Sequence, residues 1–301
     1  MSRVVLQAAA KVNLVLRITG RREDGYHLLD SLMQKVALYD RLVLELRATN
    51  TIRLTCPASD LPEDQGNLAY QAAALFFAEL GERASNGVDI VLEKQIPVAA
   101  GLGGGSSDAA MVLRGLNLLH EDVFSFDQLM AMALRLGADV PFLLQPEPAA
   151  WARGIGEQLS RALPLRDCFM VLVTPQISVS TSWAYQNFVL TKKDGKRNFT
   201  CSLQSKISVF PRDSGVLVPM ENDLESVTID RYPEIAELKR EILERGADAA
   251  LMSGSGPTVF GLFSDRDAAI SCQQTLRRRY VQAYLVLPLT GKEEQAVAFV
   301  D

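Results

Sequence analysis

Apolar and polar residues alternate along much of the first fifty residues, a pattern typical of half-buried β-strands. A polar segment, residues 19–27, interrupts these runs and is predicted to be a loop. Apolar runs at residues 169–174 and 282–287 predict two later strands. The strands predicted near the N-terminus cover residues 4–7, 12–18, 32–38 and 42–46.

Other segments carry apolar residues at helical spacing between recognisable start and stop signals. The predicted helices begin after the caps Asn67 and Ser125 or at Pro233 and Asp267, and they end near Leu80, Gly137, Gly246 and Tyr280. Strands and helices are mixed in both halves of the chain, which favours an α+β fold of two domains. Pro146 and Pro148 break both patterns, so the domains are expected to cover residues 1–155 and 156–301.

A glycine-rich segment stands out from these patterns: Pro97-Val-Ala-Ala-Gly-Leu-Gly-Gly-Gly-Ser-Ser-Asp-Ala-Ala110. A strand pattern leads into it and a helical pattern leaves it, which predicts a strand-to-helix turn with Ser106 or Ser107 as the helix cap and Asp108 in the first turn. Glycines let a backbone approach a ligand closely, and a helix start attracts anions. The segment therefore predicts a phosphate-binding loop, with a plain surface turn as the alternative.

Three familiar nucleotide-binding motifs do not fit this loop. No lysine follows the glycines as a Walker A loop requires, and Ser106 stands where the dinucleotide-binding fingerprint needs glycine. The His-Arg-Asp and Asp-Phe-Gly triplets of protein kinases are absent from the sequence.

The composition is that of a globular protein with a real core: 301 residues, 48% hydrophobic and 22% charged. A formal net charge of −5 argues against nucleic-acid or membrane-surface partners. The four cysteines and two histidines form no zinc pattern, which indicates reduced thiols. No apolar run is long enough to cross a membrane, and the chain enters a strand pattern at once, so we expect no targeting peptide and a cytoplasmic location.

The glycine-rich segment resembles the phosphate-binding motif of the GHMP kinases, the family of galactokinase, homoserine kinase and mevalonate kinase. Its triple-glycine form most resembles the branch that acts on diphosphocytidyl-methylerythritol, a cytidine diphosphate sugar alcohol. Residues 10–27 resemble the opening signature of the same branch, and residues 137–142 (Gly-Ala-Asp-Val-Pro-Phe) and 251–263 resemble two further motifs of the family. Ala9 replaces a common proline, and residues 145–148 depart from the usual pattern, which leaves the path of that loop open.

The resemblance implies a two-domain GHMP kinase fold: an N-terminal domain like domain 2 of ribosomal protein S5, a ferredoxin-like C-terminal domain, and an active site in the cleft between them. It implies that Lys11 and Asp139 are catalytic, with Asp139 accepting the hydroxyl proton. From pattern alone, Lys11 would be a solvated edge residue and Asp139 a structural carboxylate. The residues that the resemblance assigns to the acceptor substrate are Asn13, Tyr26, His27 and Thr181.

Binding of ATP with Mg²⁺ is implied for the glycine-rich loop and two residues outside it. Asn67 could instead be a pure helix cap, and Lys94 could simply solvate a strand end; Ser107 is a candidate magnesium ligand. The residues expected at the nucleotide are Pro97, Val98, Ala99, Ala100, Gly101, Leu102, Gly103, Gly104, Gly105, Ser106, Ser107, Asn67 and Lys94.

The function implied is ATP-dependent phosphorylation of the 2-hydroxyl of diphosphocytidyl-methylerythritol, on the non-mevalonate route to isoprenoid precursors. Two alternatives remain at this point: another GHMP small-molecule kinase of the homoserine or mevalonate type, and a non-catalytic nucleotide sensor of the same fold. A small-molecule substrate and ATP are the expected partners of a monomer or homodimer, with no nucleic acid and no membrane.

Overall fold

The structure is a computed structural model, and it describes residues 2–57, 59–83, 86–188, 220–291 and 297–299. Except for Met220, the loop predicted over residues 191–220 lies outside the described residues. The described part contains two β-sheets with helices packed against them, so the α+β class expected from the sequence is confirmed.

The larger sheet is built around two long antiparallel strands. The predicted pairs of strands are in fact two continuous strands, and the polar loop between them shrinks to residues 22–26. The strands of this sheet are β1 (Arg3–Arg21), β2 (His27–Arg47), β3 (Ile52–Thr55), β4 (Gly87–Glu93), β5 (Ala149–Gly154), β6 (Gln158–Arg161), β8 (Glu221–Asn222) and β12 (Val297–Phe299).

A register shift between Ala9 and Ala10 explains why β1 has the sequence pattern of two strands. Before the shift, even-numbered residues such as Leu6 pack in the core beneath the helices; after it, even-numbered residues such as Val12 pack toward the second sheet. A bulge of this kind reverses which face each later side chain occupies. Lys11 is thereby turned to the helix-covered face of the sheet and is only 4% exposed.

Four helices cover that face. Asn67 caps the first through its side chain, and the predicted capping box of Ser125 and Gln128 is present. The predicted cap at Ser106 or Ser107 is wrong, because the second helix begins at Gly104, after Gly103 in a left-handed conformation with φ 70°. The helices are α1 (Leu68–Leu80), α2 (Gly104–Leu119), α3 (Phe126–Leu136) and α4 (Val140–Leu144).

The smaller sheet has four antiparallel strands, β7 (Phe169–Thr174), β9 (Ala249–Met252), β10 (Val259–Phe263) and β11 (Gln282–Val286). Alternate residues of β7 face opposite ways: Met170 packs toward the large sheet, and Val171 packs beneath the remaining helices. Those helices are α5 (Thr181–Asn187), α6 (Asp223–Arg231), α7 (Glu234–Glu244) and α8 (Arg266–Arg277).

The domain boundary predicted after residue 155 stays a prediction. The hairpin of β5 and β6 crosses it, and two late strands, β8 and β12, pair with β1. The two halves therefore share strands and a packed interface between the sheets. Loops from both halves meet at this interface, and the cavity described next lies there.

Candidate active site

A cavity of about 1020 Å³ opens between the glycine-rich loop, the loop after β1, the start of α4 and the start of α5. A cavity of this size suits a nucleotide or another small molecule. Leu102 and Ser107 do not line it, whereas every other site residue expected from the sequence does. Leu102 is buried in the core, and the Ser107 hydroxyl donates to the Ala9 carbonyl at 2.7 Å. The structure thus brings residues from both halves of the sequence to one space.

The glycine-rich loop turns sharply because several of its residues adopt positive φ angles. Gly101 and Gly103 have φ of 77° and 70°, and even Ala99 has φ of 52°. A side chain on Gly103 would come within 2.9 Å of Lys11 Cγ, so glycine lets the loop lie directly against the lysine. The first turn of α2 then starts at the cavity with free N–H groups and a partial positive charge, as a phosphate-binding loop requires.

A second loop, residues 253–258, locks the glycine-rich loop in place. The Ser253 hydroxyl donates to the Gly101 carbonyl at 2.9 Å and accepts the Asn13 N–H at 3.3 Å. A Cβ atom on Gly101 would lie 2.1 Å from the Ser253 carbonyl oxygen, so only glycine permits this approach. The C-terminal half of the chain therefore fixes both the phosphate-binding loop and strand β1.

Lys11 and Asp139 meet at the centre of the cavity wall. Lys11 Nζ lies 3.3 Å from Asp139 Oδ2 and donates to Asn13 Oδ1 at 2.6 Å. The Asn13 amide in turn donates to the Ser31 hydroxyl at 2.9 Å, which donates to the Val15 carbonyl. This chain of hydrogen bonds orients a buried ammonium toward a carboxylate whose side chain is 36% exposed to the cavity. A carboxylate accessible in the cavity can accept a proton, and the buried cation beside it can stabilise a nearby negative charge.

Lys94 lines the cavity, but its ammonium is held from below by two carboxylates. It forms an ion pair with Asp40 and lies 2.7 Å from Asp108 Oδ2, while Asp40 Oδ1 accepts the N–H groups of Gln95 and Ile96. Burial raises the pKa of the Asp108 carboxyl to about 8, with Lys94 acting in the opposite direction. Burial opposes the Lys94 charge, yet Asp108 and Asp40 outweigh it and raise the lysine pKa. The cluster anchors the glycine-rich loop to β2 and α2, so a direct nucleotide contact by Lys94 stays a prediction.

Asn67 serves as a helix cap, which was one of the two roles predicted for it; the other was a contact with the nucleotide. Its side-chain oxygen accepts the Ala69 N–H at 3.0 Å, and its amide donates to the Pro62 carbonyl at 3.0 Å. It also lines the cavity, so the cap does not rule out a place beside a nucleotide.

Aromatic residues line part of the cavity. Tyr26 is 63% exposed, and the His27 ring lies 5.4 Å from the Tyr185 ring. Burial and the Arg21 charge lower the pKa of His27, so the imidazole is neutral at pH 7. Burial, helped by the Asp139 charge, raises the pKa of the Tyr185 phenol. Nearby, the hydroxyls of Thr181 and Ser255 lie 2.9 Å apart.

Sequence reasoning did not single out Tyr185, Ser253 or Ser31. Tyr185 lies in the segment 179–185, next to the expected Thr181, and Ser253 lies in the small-residue segment 251–263. Nothing in the local sequence marks Ser31, because its role depends on its alignment with Val15 and Leu16 in the strand pairing. In the described part of the chain, no three His, Cys, Asp or Glu side chains are grouped to hold a metal, and no helix is long and apolar enough to span a membrane.

Comparison with known proteins identifies relatives of the whole chain. The family model of the GHMP kinases N-terminal domain matches residues 67–145, and that of the GHMP kinases C-terminal domain matches residues 214–282. The 4-diphosphocytidyl-2-C-methyl-D-erythritol kinase of Syntrophotalea carbinolica is 49% identical over 90% of this chain and 94% of its own length.

Solved structures show the same relationship. A crystal structure of 4-(cytidine 5'-diphospho)-2C-methyl-D-erythritol kinase is 36% identical, with a TM-score of 0.77 over 95% of this chain and 99% of its own. Homoserine kinase from Cytophaga hutchinsonii is 18% identical, with a TM-score of 0.68 over 99% of this chain and 98% of its own, and shares the fold. These matches confirm the two-domain architecture expected from the sequence.

Proposed function

Since the chain belongs to the GHMP kinase family, we propose that it transfers the γ-phosphoryl group of ATP to the 2-hydroxyl of 4-diphosphocytidyl-2-C-methyl-D-erythritol. This reaction belongs to the non-mevalonate route to isoprenoid precursors. The observation that carries the proposal is the Lys11–Asp139 pair, 3.3 Å apart in one cavity with the glycine-rich loop. That pair opposes the alternative of a non-catalytic sensor. The relatives acting on homoserine or mevalonate support the fold alone.

The glycine-rich loop would bind the triphosphate of ATP. Its cavity-facing residues Gly101 and Gly103 to Ser106 present backbone close to the ligand, and the α2 start adds a partial positive charge. Residues 97–100 and Leu68 continue the wall toward Asn67 and Lys94, which leaves this end of the cavity for the nucleoside. Ser107 does not suit a metal ligand, because its side chain is buried and its hydroxyl donates to Ala9.

Phosphoryl transfer depends mainly on positioning and on neutralising charge on the phosphoryl oxygens. Asp139 would take the proton from the substrate hydroxyl while the hydroxyl oxygen bonds to the γ-phosphorus of ATP. The bond between the γ-phosphorus and the oxygen that bridges it to the β-phosphorus would break, and ADP would leave. Lys11, fixed by Asn13, would stabilise the charge that develops on the attacking oxygen and the phosphoryl group. General-base catalysis of this kind contributes roughly 10²–10⁴ in rate.

The aromatic part of the cavity would hold the cytosine of the substrate. Tyr26 presents an exposed ring for stacking, and the neutral His27 imidazole can both donate and accept a hydrogen bond at the base edge. Thr181 lies on the same wall and offers a hydroxyl toward the diphosphate or the sugar alcohol.

Magnesium would accompany ATP and neutralise its phosphates. Mg²⁺ keeps several waters and binds through one or two carboxylates together with substrate phosphates. Asp139 is a carboxylate exposed in the cavity beside the expected triphosphate, so the residues present fit an ion held chiefly by phosphate and water.

We also propose a cytoplasmic enzyme, monomeric or homodimeric, with no nucleic-acid or membrane partner.

A coupled ADP-release assay tests the proposal. Purified protein with Mg-ATP is given the cytidine compound, homoserine, mevalonate or galactose in separate reactions. We expect ADP release with the cytidine compound only, and product analysis that places the phosphate on the 2-hydroxyl. Turnover with another alcohol, or none with any of the four, would contradict the assignment. Retention of function in vivo by a turnover-negative Asp139→Ala variant would favour the sensor.

A further inference from the structure

Two lysines lie directly opposite each other in the large sheet. Lys11 of β1 pairs with Lys35 of β2 in the antiparallel register, so both side chains project from the same face. Both are buried, and Lys35 is only 2% exposed. Like charges at directly opposite positions destabilise a sheet, and a buried cation is costly without partners. The Lys35 ammonium donates hydrogen bonds outside the sheet, at the end of α4.

The five-residue helix α4 accounts for both cations. Lys11 Nζ faces the start of this helix, where Asp139 precedes Val140. Lys35 Nζ faces its end, where it donates to the carbonyls of Gln145 at 2.5 Å and Leu143 at 3.3 Å. It also lies 5.4 Å from the centre of the Phe142 ring. A cation at the C-terminal end of a helix satisfies terminal carbonyls and complements the helix dipole.

Tertiary contacts fix the position of this helix, as its lack of a side-chain cap requires. Asp139 makes no side-chain capping bond, and a helix of this length is not stable on its own. Packing against the core holds the helix against the sheet. Lys11 and Lys35, which are directly paired in β1 and β2, contact its two ends and fix its position along its axis. A movement of the Lys35 end would be transmitted through one and a half turns to Asp139.

We infer that Lys35 is a positioning residue that sets the distance between Asp139 and Lys11 by holding the opposite end of α4 against β2. This inference rests on the proposed role of Asp139. It predicts that loss of the Lys35 cation lowers kcat, because the base is displaced from the hydroxyl, while both KM values change little. A displacement of about 1 Å at a reacting group can lower a rate by up to 10²-fold.

The test compares Lys35→Met with Lys239→Met in the ADP-release assay. Lys239 is the control, because it is also a largely buried lysine outside the cavity lining, but its partner is Glu225 of α6 and not the end of α4. We expect Lys35→Met to lose roughly tenfold or more in kcat with KM for ATP and acceptor within about twofold. The control should stay within about twofold in all three constants. Circular dichroism confirms that each variant is folded; if Lys35→Met is not, the neutral Lys35→Gln is judged by the same criteria.

A double-mutant cycle separates positioning from a general loss of structure. If Lys35 acts through Asp139, adding Lys35→Met to Asp139→Asn should leave the residual rate unchanged within about twofold. A full loss in that background, or wild-type kcat in folded Lys35→Met, overturns the inference. An inactive wild type would instead overturn the proposed function, and full activity of Asp139→Asn would overturn the role of Asp139.

Discussion

Substituting Gly101 with alanine tests whether contact between two distant loops sets the active-site geometry. Gly101 has φ of 77°, and its Cβ would lie 2.1 Å from the Ser253 carbonyl oxygen and 3.2 Å from Gly256 N. Both neighbours are backbone atoms, so neither can rotate away. The 253–258 loop or the glycine-rich loop would have to move by about 1 Å to restore ordinary contact.

The magnitude follows from what Ser253 holds. Its hydroxyl bridges the Gly101 carbonyl and the Asn13 N–H, and Asn13 orients Lys11. A shift of about 1 Å in this chain of contacts should lower kcat/KM for ATP about 10²-fold. Positive φ alone adds a strain of about 1–3 kcal/mol for alanine, which lowers the free energy of unfolding but does not itself move the loops.

Gly81→Ala is the matched control. Gly81 also has a positive φ, 61°, but a Cβ there meets nothing within 4 Å, and the residue does not line the cavity. It should lose stability in urea unfolding by about 1–3 kcal/mol and keep its kcat/KM. Steady-state ADP release, measured where unfolding curves show both variants folded, gives the comparison. A folded Gly101→Ala variant with kcat/KM within about threefold of wild type would refute the reasoning.

Three further predictions follow from the site. Asp139→Asn should lower kcat in steady-state ADP release by roughly 10²–10⁴, and a smaller loss would contradict its role as base. Tyr26→Ala should raise KM for the cytidine substrate on the order of tenfold, while KM for ATP and the melting temperature, checked in parallel, stay constant because the side chain is exposed. Since the pKa of Asp108 is raised to about 8, the folded state holds its proton more tightly than the unfolded state, and stability from this group is lost as pH rises toward 8. In urea unfolding, the free energy of unfolding of Asp108→Asn relative to wild type should therefore rise between about pH 4 and 8, by at most about 1.4 kcal/mol per pH unit. A difference in unfolding free energy that is independent of pH would contradict this.

Local signals predicted most element boundaries because the physics that fixes them is local. The caps at Asn67 and Ser125 satisfy N–H groups two or three residues away, and the Gly81 stop follows from backbone freedom at one position, with φ of 61°. The strand-to-helix turn at the glycine-rich segment was also predictable. Its cap was not, since Ser107 donates instead to Ala9, 98 residues earlier in the chain. The helix begins at Gly104, so Ser106 and Ser107 lie inside its first turn and not at its cap.

Charged clusters mark the limit of reasoning from sequence. Lys94 has the pattern of a solvated strand end, and Asp40 and Asp108 give no sign that they will meet it. Only the folding of β2, β4 and α2 brings the three together beneath the glycine-rich loop. The resemblance to kinases predicts residues that contact a ligand. It does not predict Asp40 and Asp108, whose partner is the side chain of Lys94.

The register shift at Ala9 and Ala10 links the fold to the chemistry. Without it, the alternation of β1 would turn Lys11 toward the second sheet. The lysine would then lie in the apolar cluster that contains Val12, away from Asp139. With it, Lys11 shares a face with Lys35, and the repulsion between them is offset because α4 offers Asp139 to one and terminal carbonyls to the other. The same displacement that makes β1 look like two strands in the sequence therefore places the cation beside the base. The break in the alternating pattern of the sequence is therefore the feature that puts the Lys11 side chain on the face of the sheet where Asp139 lies.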